Sequence, residues 1–231
     1  MTGFIQFLAQ FDPRTLLVAF AIIGVLIALP IEVLAMRRLA KIRLASGAFW
    51  FLLGAFFILL GVVAGLVAAS LHGYKRLTNE QLAAKVTLRQ LGERQYALTL
   101  EAPGSATRHY EMRGDEWQID ARVMKWTPMA TIAGFDTVYR LERLSGRYGD
   151  IVQERTQLRS VHALVQTEEP VDLWDVAKRY HQYLPLVDAL YGSAAYVPMA
   201  EGAEYTVTVS ASGLVVRPGN DAAKKAVGGW K

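Results

Sequence analysis

The sequence predicts an α+β, membrane-anchored protein: a two-helix transmembrane hairpin followed by a β-rich soluble domain, a sandwich or small barrel, with one kinked helix. Three observations carry this expectation. The stretch Ala48–Leu71 holds no charged residue and is long enough, at about 1.5 Å per residue, to cross a hydrocarbon core of about 30 Å. A second apolar stretch precedes it, and a basic cluster lies between the two. Beyond Tyr74 the hydrophobic period changes from helical to two, as in half-buried strands. The mean hydropathy of +0.20 therefore averages an apolar N-terminal third and a polar remainder.

The chain has 231 residues, enough for an anchor (1–74), one domain of ordinary size (75–218) and a short flexible tail (219–231). The pI near 9.3 does not mark a nucleic-acid binder. Residues 1–74 carry Arg14, Arg37, Arg38, Lys41 and Arg43 against Asp12 and Glu32, a net +3. The remainder has 20 basic and 19 acidic residues, so the excess charge belongs to the anchor, whereas nucleic-acid binding needs a basic patch on the folded domain. Cysteine is absent, which removes disulfides, thiolate metal ligands and a cysteine nucleophile.

Phe4, Phe7, Leu8 and Phe11 recur at helical spacing and read either as a short interfacial helix or as a frayed leader. Asp12-Pro13 supplies an N-cap and a proline at the first helical position, opening the first span over 15–35. A signal peptide would place its positive charge before the apolar run, whereas here Arg37, Arg38, Lys41 and Arg43 follow it, in the loop 36–47. The same residues orient the hairpin, because Lys and Arg in a short loop stay cytoplasmic. Both termini and the soluble domain are then expected outside the cytoplasm. The second span, 48–71, is flanked by Phe49 and Trp50 at one interface and by His72, Tyr74, Lys75 and Arg76 at the other.

Within it Gly47, Gly54 and Gly61 are seven apart, Ala68 continues the series, and Gly65 completes G-x-x-x-G with Gly61. Small residues on one face admit a second helix. That helix is either the first span, through Gly24 and Ala28, or a membrane partner or second copy. Glu32 lies about one turn from Arg37 and is expected to reach the cytoplasmic headgroups and pair there.

In the soluble part, alternation marks strands at Val86–Leu91, Tyr96–Leu100, His109–Arg113, Glu116–Trp126, Val138–Leu144, Ile151–Val165, Tyr205–Val209 and Leu214–Arg217. One helix is expected from Pro170 and Asp172, with Leu173, Ala177, Tyr180 and Leu184 on one face and Trp174 beside them. Pro185 kinks it and Gly192 ends it at Tyr191.

Motifs for chemistry are sparse. His72, His109, His162 and His181 share no metal-ligand spacing, so neither metal nor cofactor is expected, and no nucleophile elbow or phosphate-binding glycine loop occurs. Two stretches have the composition of interaction surfaces. Trp126–Phe135 is uncharged and carries Trp126, Met129, Ile132 and Phe135; it is either core or an exposed apolar loop suited to the bilayer or a partner. Tyr139–Arg159 interleaves Arg140, Arg143 and Arg147 with Tyr148 and acids, as in an interface or in cross-strand ion pairs.

Arg122–Trp126 (RVMKW), Tyr139–Tyr148 (YRLERLSGRY) and Val187–Ser193 (VDALYGS) resemble a family of small two-span proteobacterial inner-membrane proteins often labelled cation or multidrug efflux pumps. The resemblance implies a bacterial inner-membrane location with periplasmic termini and, through the label, a role beside a transport system. The residues themselves predict a non-catalytic periplasmic binding or scaffolding domain within a larger envelope complex. An accessory transport subunit and a periplasmic hydrolase are the alternatives.

Overall fold

A computed structural model describes residues 12–165, 174, 178, 179 and 185–230. The chain divides into two compact units, Met1–Arg76 and Leu77–Lys231. The expected interfacial segment at Phe4–Phe11 lies outside the described residues.

The first unit contains two long helices, α1 (Pro13–Ala40) and α2 (Leu44–Leu77). Each is long and apolar enough to cross a membrane, with a mean hydropathy of 2.7 in its most apolar window. Asp12 caps α1 by accepting from the Arg14 backbone N–H at 3.0 Å, and Pro13 occupies the first turn. The helices run closer together in sequence than expected: only Lys41–Arg43 separate them, with Ile42 at φ +58°. Arg38 braces this turn, donating to Ser46 Oγ at 2.5 Å and lying over the Trp50 ring at 5.4 Å. At the opposite end Arg14 meets His72 at 3.2 Å, and Lys75 lies 3.7 Å from Asp12.

Small residues form the seam between the helices. Gly24, Ala28 and Ala35 of α1 are buried, as are Gly47, Gly54, Gly61, Ala64 and Ala68 of α2. A Cβ on Gly24 would lie 3.2 Å from the Phe57 carbonyl oxygen, and one on Gly61 would lie 3.1 Å from that of Ala21. Gly65 differs from its neighbours, because nothing lies within 4 Å of the Cβ it lacks. Ala64 takes its place in the seam.

The second unit contains nine strands among the described residues: β1 (Gln81–Gly92), β2 (Gln95–Glu101), β3 (Arg108–Arg113), β4 (Glu116–Trp126), β5 (Val138–Arg147), β6 (Val161–Ala163), β7 (Val187–Pro198), β8 (Glu204–Ser210) and β9 (Gly213–Pro218). They form two antiparallel sheets, ordered β3-β2-β1-β8-β9 and β6-β5-β4-β7. Alternation along β4 sends Trp117, Ile119, Ala121 and Val123 inward, and along β8 Tyr205, Val207 and Val209. These side chains join Val86, Leu88, Leu98 and Leu100 in one core, with Trp117 edge-on to Tyr205 at 5.7 Å. The sheets are also tied by hydrogen bonds: Ser193 Oγ accepts from the Leu214 N–H at 3.0 Å, and the Tyr191 hydroxyl donates to the Ala211 carbonyl at 2.9 Å.

Short helices fill two connections, α3 (Pro128–Ala133) and α4 (Ile151–Thr156), and a third, α5 (Asp221–Gly228), follows the last strand. They correct two expectations. The strand expected over Ile151–Val165 is a helix followed by the three residues of β6, because Asp150 caps α4 by accepting from the Gln153 N–H at 2.9 Å. The tail expected to be flexible forms α5: Asn220 caps it at 3.0 Å from the Ala223 N–H, and Ala223 is buried.

A third correction concerns the kinked helix. Tyr191 and Gly192 do not end a helix; they lie in β7, which pairs with β4 from Trp126↔Val187 to Glu116↔Pro198. Leu186 already bonds this edge, its carbonyl accepting from the Thr127 N–H at 2.8 Å. Of the expected helical face, Leu173, Ala177, Tyr180 and Leu184 lie outside the described residues, while Trp174 is helical and buried.

Candidate functional site

The outer face of the four-stranded sheet carries a groove of about 720 Å³. Its floor follows from residue size. On β7, Gly192 and Ala194 stand opposite Arg122 and Asp120 of β4, and nothing lies within 4 Å of the position a Gly192 Cβ would take. One end is apolar: Met124 and Trp174 are buried together, with Trp126, Val187 and Leu190 against them.

The long wall is ionic. Arg143 binds Asp120 through Nε at 2.7 Å and Nη2 at 2.5 Å, and Gln118 donates to the other Asp120 oxygen at 2.8 Å. Glu142 Oε1 receives Arg122 at 2.7 Å and Arg140 at 3.1 Å. Asp120 and Arg143 face each other across the β4–β5 ladder, and Arg122 reaches Glu142 across the same ladder, so these cross-strand pairs orient both carboxylates. Lys178 also lines the groove. Beyond its apolar end, Lys125 and Asp188 pair at 2.7 Å, and the carboxylate raises the lysine pKa.

The four arginine-stretch candidates separate into two places. Arg140 and Arg143 belong to this wall. Arg147 lies at the other end of β5, with its guanidinium 4.0 Å from the Tyr196 ring centroid and 3.7 Å from Glu116 Oε2. Trp230 completes that cluster: its Nε1 donates to Glu116 Oε1 at 2.7 Å, and its ring meets Tyr196 edge-on at 5.5 Å. Tyr148 is buried, with its hydroxyl donating to the Leu158 carbonyl at 3.1 Å.

Trp126, Met129, Ile132 and Phe135 cluster around α3. Trp126 Nε1 donates to the Asp136 carbonyl at 2.7 Å and its ring lies 5.2 Å from that of Phe135. Met129 is 75% exposed, Phe135 45% and Ile132 37%, so this segment is an exposed apolar corner and not core. Glu32 also departs from expectation. Its carboxylate lies where a Gly54 Cβ would stand, 2.5 Å from that position, and so packs in the helix seam. Arg37, Lys41 and Arg43 are exposed at the helix turn and Arg38 is half-buried there.

His181 lies outside the described residues, and the other histidines each have a polar neighbour. His162 Nε2 lies 3.0 Å from the Glu111 carbonyl oxygen and His109 Nδ1 3.0 Å from Thr99 Oγ1. Among the described residues no group of three or more His, Asp or Glu is arranged to hold a metal. Sequence reasoning missed the groove floor and the Glu116–Trp230 contact. The small residues Gly192 and Ala194, lying between Leu190 and Tyr196 on one face of β7, were the available signal for the floor. Comparison with protein-family models, with curated proteins and with solved structures finds no match.

Proposed function

We propose that the protein is a non-catalytic bacterial inner-membrane protein. In this reading α1 and α2 span the bilayer, the termini are periplasmic, and the two sheets pack as a sandwich that binds a segment of a partner protein within a larger envelope complex. The observation that carries the binding role is the groove: a floor of Gly192 and Ala194 left open beside side chains already paired with one another. Preformed ion pairs present hydrogen-bonding edges at little further cost in ordering, which suits recognition. The exposed apolar side chains around both helices, among them Phe20, Leu26, Phe51 and Leu59, support the spanning role, since such surface is stable against lipid.

The test is co-purification of the tagged protein from native membranes in mild detergent, followed by mass spectrometry. Gly192→Trp fills the groove in open space and leaves the strand geometry intact. Loss of a partner in that variant supports the proposal; an unchanged partner set overturns it. A reporter fused after Lys231 tests topology and is expected to be active only outside the cytoplasm. An accessory role beside a transport system, which the family resemblance implies, is favoured by Gly65: its face of α2 lies outside the α1 seam and is free of Cβ bulk for a second membrane helix.

A further inference from the structure

We infer that the corner formed by α3 and Phe135 is itself a membrane-contact element, seated in the lipid interface beside the point where the chain leaves the bilayer. The inference rests on the spanning role proposed for α2, and it adds a third, non-spanning contact with lipid. Three observations converge on it.

The first is composition and exposure together. Trp126–Phe135 contains no charged residue, and Met129, Ile132, Phe135 and Val138 all present apolar surface to solvent, Met129 at 75% exposure. Leaving such a patch in water is unfavourable in proportion to its area.

The second is position. The residues after the corner are fastened to the first residues of the sheet domain. Asn79 Nδ2 donates to Asp136 Oδ1 at 3.3 Å, Gln81 Nε2 donates to the Thr137 carbonyl at 3.0 Å, and the Tyr139 hydroxyl donates to the Leu82 carbonyl at 3.1 Å. Asn79 follows Leu77, the last residue of α2, by two positions. Even a fully extended chain spans only about 7 Å over that distance. In the spanning role proposed for α2, covalent connection alone therefore keeps this end of the domain near the lipid surface. The opposite end, at the β1–β2 turn around Glu93, is separated from Gln81 by the length of β1, about 35–40 Å.

The third is chemistry. A tryptophan whose N–H is bonded to a backbone carbonyl, packed at a tilt against a phenylalanine and flanked by methionine and isoleucine, is the residue set that partitions to the headgroup boundary. Asp136, the first charge after the corner, is turned back to Asn79 and does not oppose insertion.

The native chain contains no cysteine, so single cysteines report without background. The full-length protein is labelled with an environment-sensitive fluorophore at Met129→Cys, at Leu59→Cys on α2 and at Glu93→Cys. Each sample is reconstituted into phosphatidylethanolamine–phosphatidylglycerol nanodiscs containing lipids spin-labelled at graded depths. The expected result is quenching of the Met129 probe at a depth of about 5–10 Å below the phosphates, with the Leu59 probe quenched more deeply and the Glu93 probe unquenched. A Met129 probe that emits as in water while Leu59 is quenched overturns the inference and leaves the anchor intact. A Met129 probe shifted to the blue but untouched by lipid quenchers also overturns it, and assigns the corner to a protein contact. An unquenched Leu59 probe removes the spanning role and the inference with it.

Discussion

In the helical hairpin the buried residues are glycine and alanine, with Ala28 and Ala35 at 0% exposure while Phe51, Phe56, Leu59 and Leu66 stand outside. In the sheet domain Trp117, Ile119, Leu144 and Val207 are at 0% exposure, and charged side chains such as Asp120 and Arg143 line the outer face. The two units thus bury opposite ends of the residue-size scale. A domain in water gains stability by removing large apolar area from solvent. In the spanning role proposed for α1 and α2, helices surrounded by lipid gain nothing from that transfer, and associate by bringing backbones close enough for dispersion contacts. On that role, the inversion within one chain means that residue size on a buried face reports the solvent outside it.

The sharpest way to break this comparison is to shave a large apolar side chain in each unit. Trp117→Ala removes a fully buried indole in contact with Tyr205 and is expected to cost about 3–5 kcal/mol, a large share of a domain's total stability. Leu59→Ala, at a 62%-exposed position on α2, is expected to change stability by less than about 0.5 kcal/mol. Denaturant unfolding in mild detergent measures both, the first through the β-sheet and the second through the helical circular dichroism signal. Equal costs would mean that the hairpin has a conventional core.

The complementary change adds bulk. Gly61→Leu drives a side chain toward the Ala21 carbonyl, 3.1 Å from its Cβ, and is expected to weaken the seam by about 1–3 kcal/mol. Gly65→Leu, four residues on, meets nothing within 4 Å and is expected to leave the hairpin unchanged. Cysteines introduced at Arg14 and His72, which touch at 3.2 Å, read the result through a short bis-maleimide. Cross-linking is expected to fall several-fold with Gly61→Leu and to persist with Gly65→Leu. Similar yields in the two variants would place the seam elsewhere.

This contrast also explains what was legible in the sequence. The hairpin helices and β4 and β8 were readable because each repeats one period over many residues: Gly47, Gly54, Gly61 and Ala68 every seven, Trp117 to Val123 every two. The G-x-x-x-G spacing from Gly61 added Gly65 to that face, since spacing cannot choose between Ala64 and Gly65 on adjacent edges of one face. Local capping decided α4 and α5, where Asp150 and Asn220 outweighed a weak alternation and an absent one. Tyr191–Val197 reads as strand only once β4 is present to pair with it, so a helical pattern ending at Leu184 ran on past Pro185. The groove was least legible. It depends on what faces Gly192 across two strands, and strand order is not written in alternation.

Each unit also turns a carboxylate inward, and their surroundings differ. Glu32 packs where Gly54 has no side chain, whereas Glu116, 8% exposed, has the Trp230 N–H at 2.7 Å and the Arg147 guanidinium nearby. Trp230→Ala withdraws that donor and the edge-on contact with Tyr196. An expected cost of about 1–3 kcal/mol follows for a buried acceptor stripped of its partner. The loss is expected to be local: hydrogen exchange of the α5 amides accelerates while the β4 and β8 amides keep their protection. Acceleration throughout both sheets would make Trp230 part of the domain core.

The smallest effect is expected at the entry to the sheet domain, where the comparison turns on water. Glu80 receives Arg217 at 2.5 and 2.8 Å and the Thr208 hydroxyl at 2.7 Å, tying the residue before β1 to β8 and β9. The Arg217 hydrogen bonds, then that of Thr208, lower the Glu80 pKa to about 2 from its ordinary value near 4.5. A carboxyl whose folded pKa lies below its unfolded one binds fewer protons when folded, so its stabilisation is full above about pH 4.5 and is lost as pH falls through about 2. The pair is partly open to solvent, the side chains being 52% and 33% exposed, which reduces its worth to about 0.5–1 kcal/mol. Wild type is therefore expected to exceed Glu80→Gln by that amount in urea unfolding at pH 7, and the two are expected to converge as the pH approaches 2. A difference that does not change with pH would assign the tie to the geometry of the hydrogen bonds and not to the charge on Glu80.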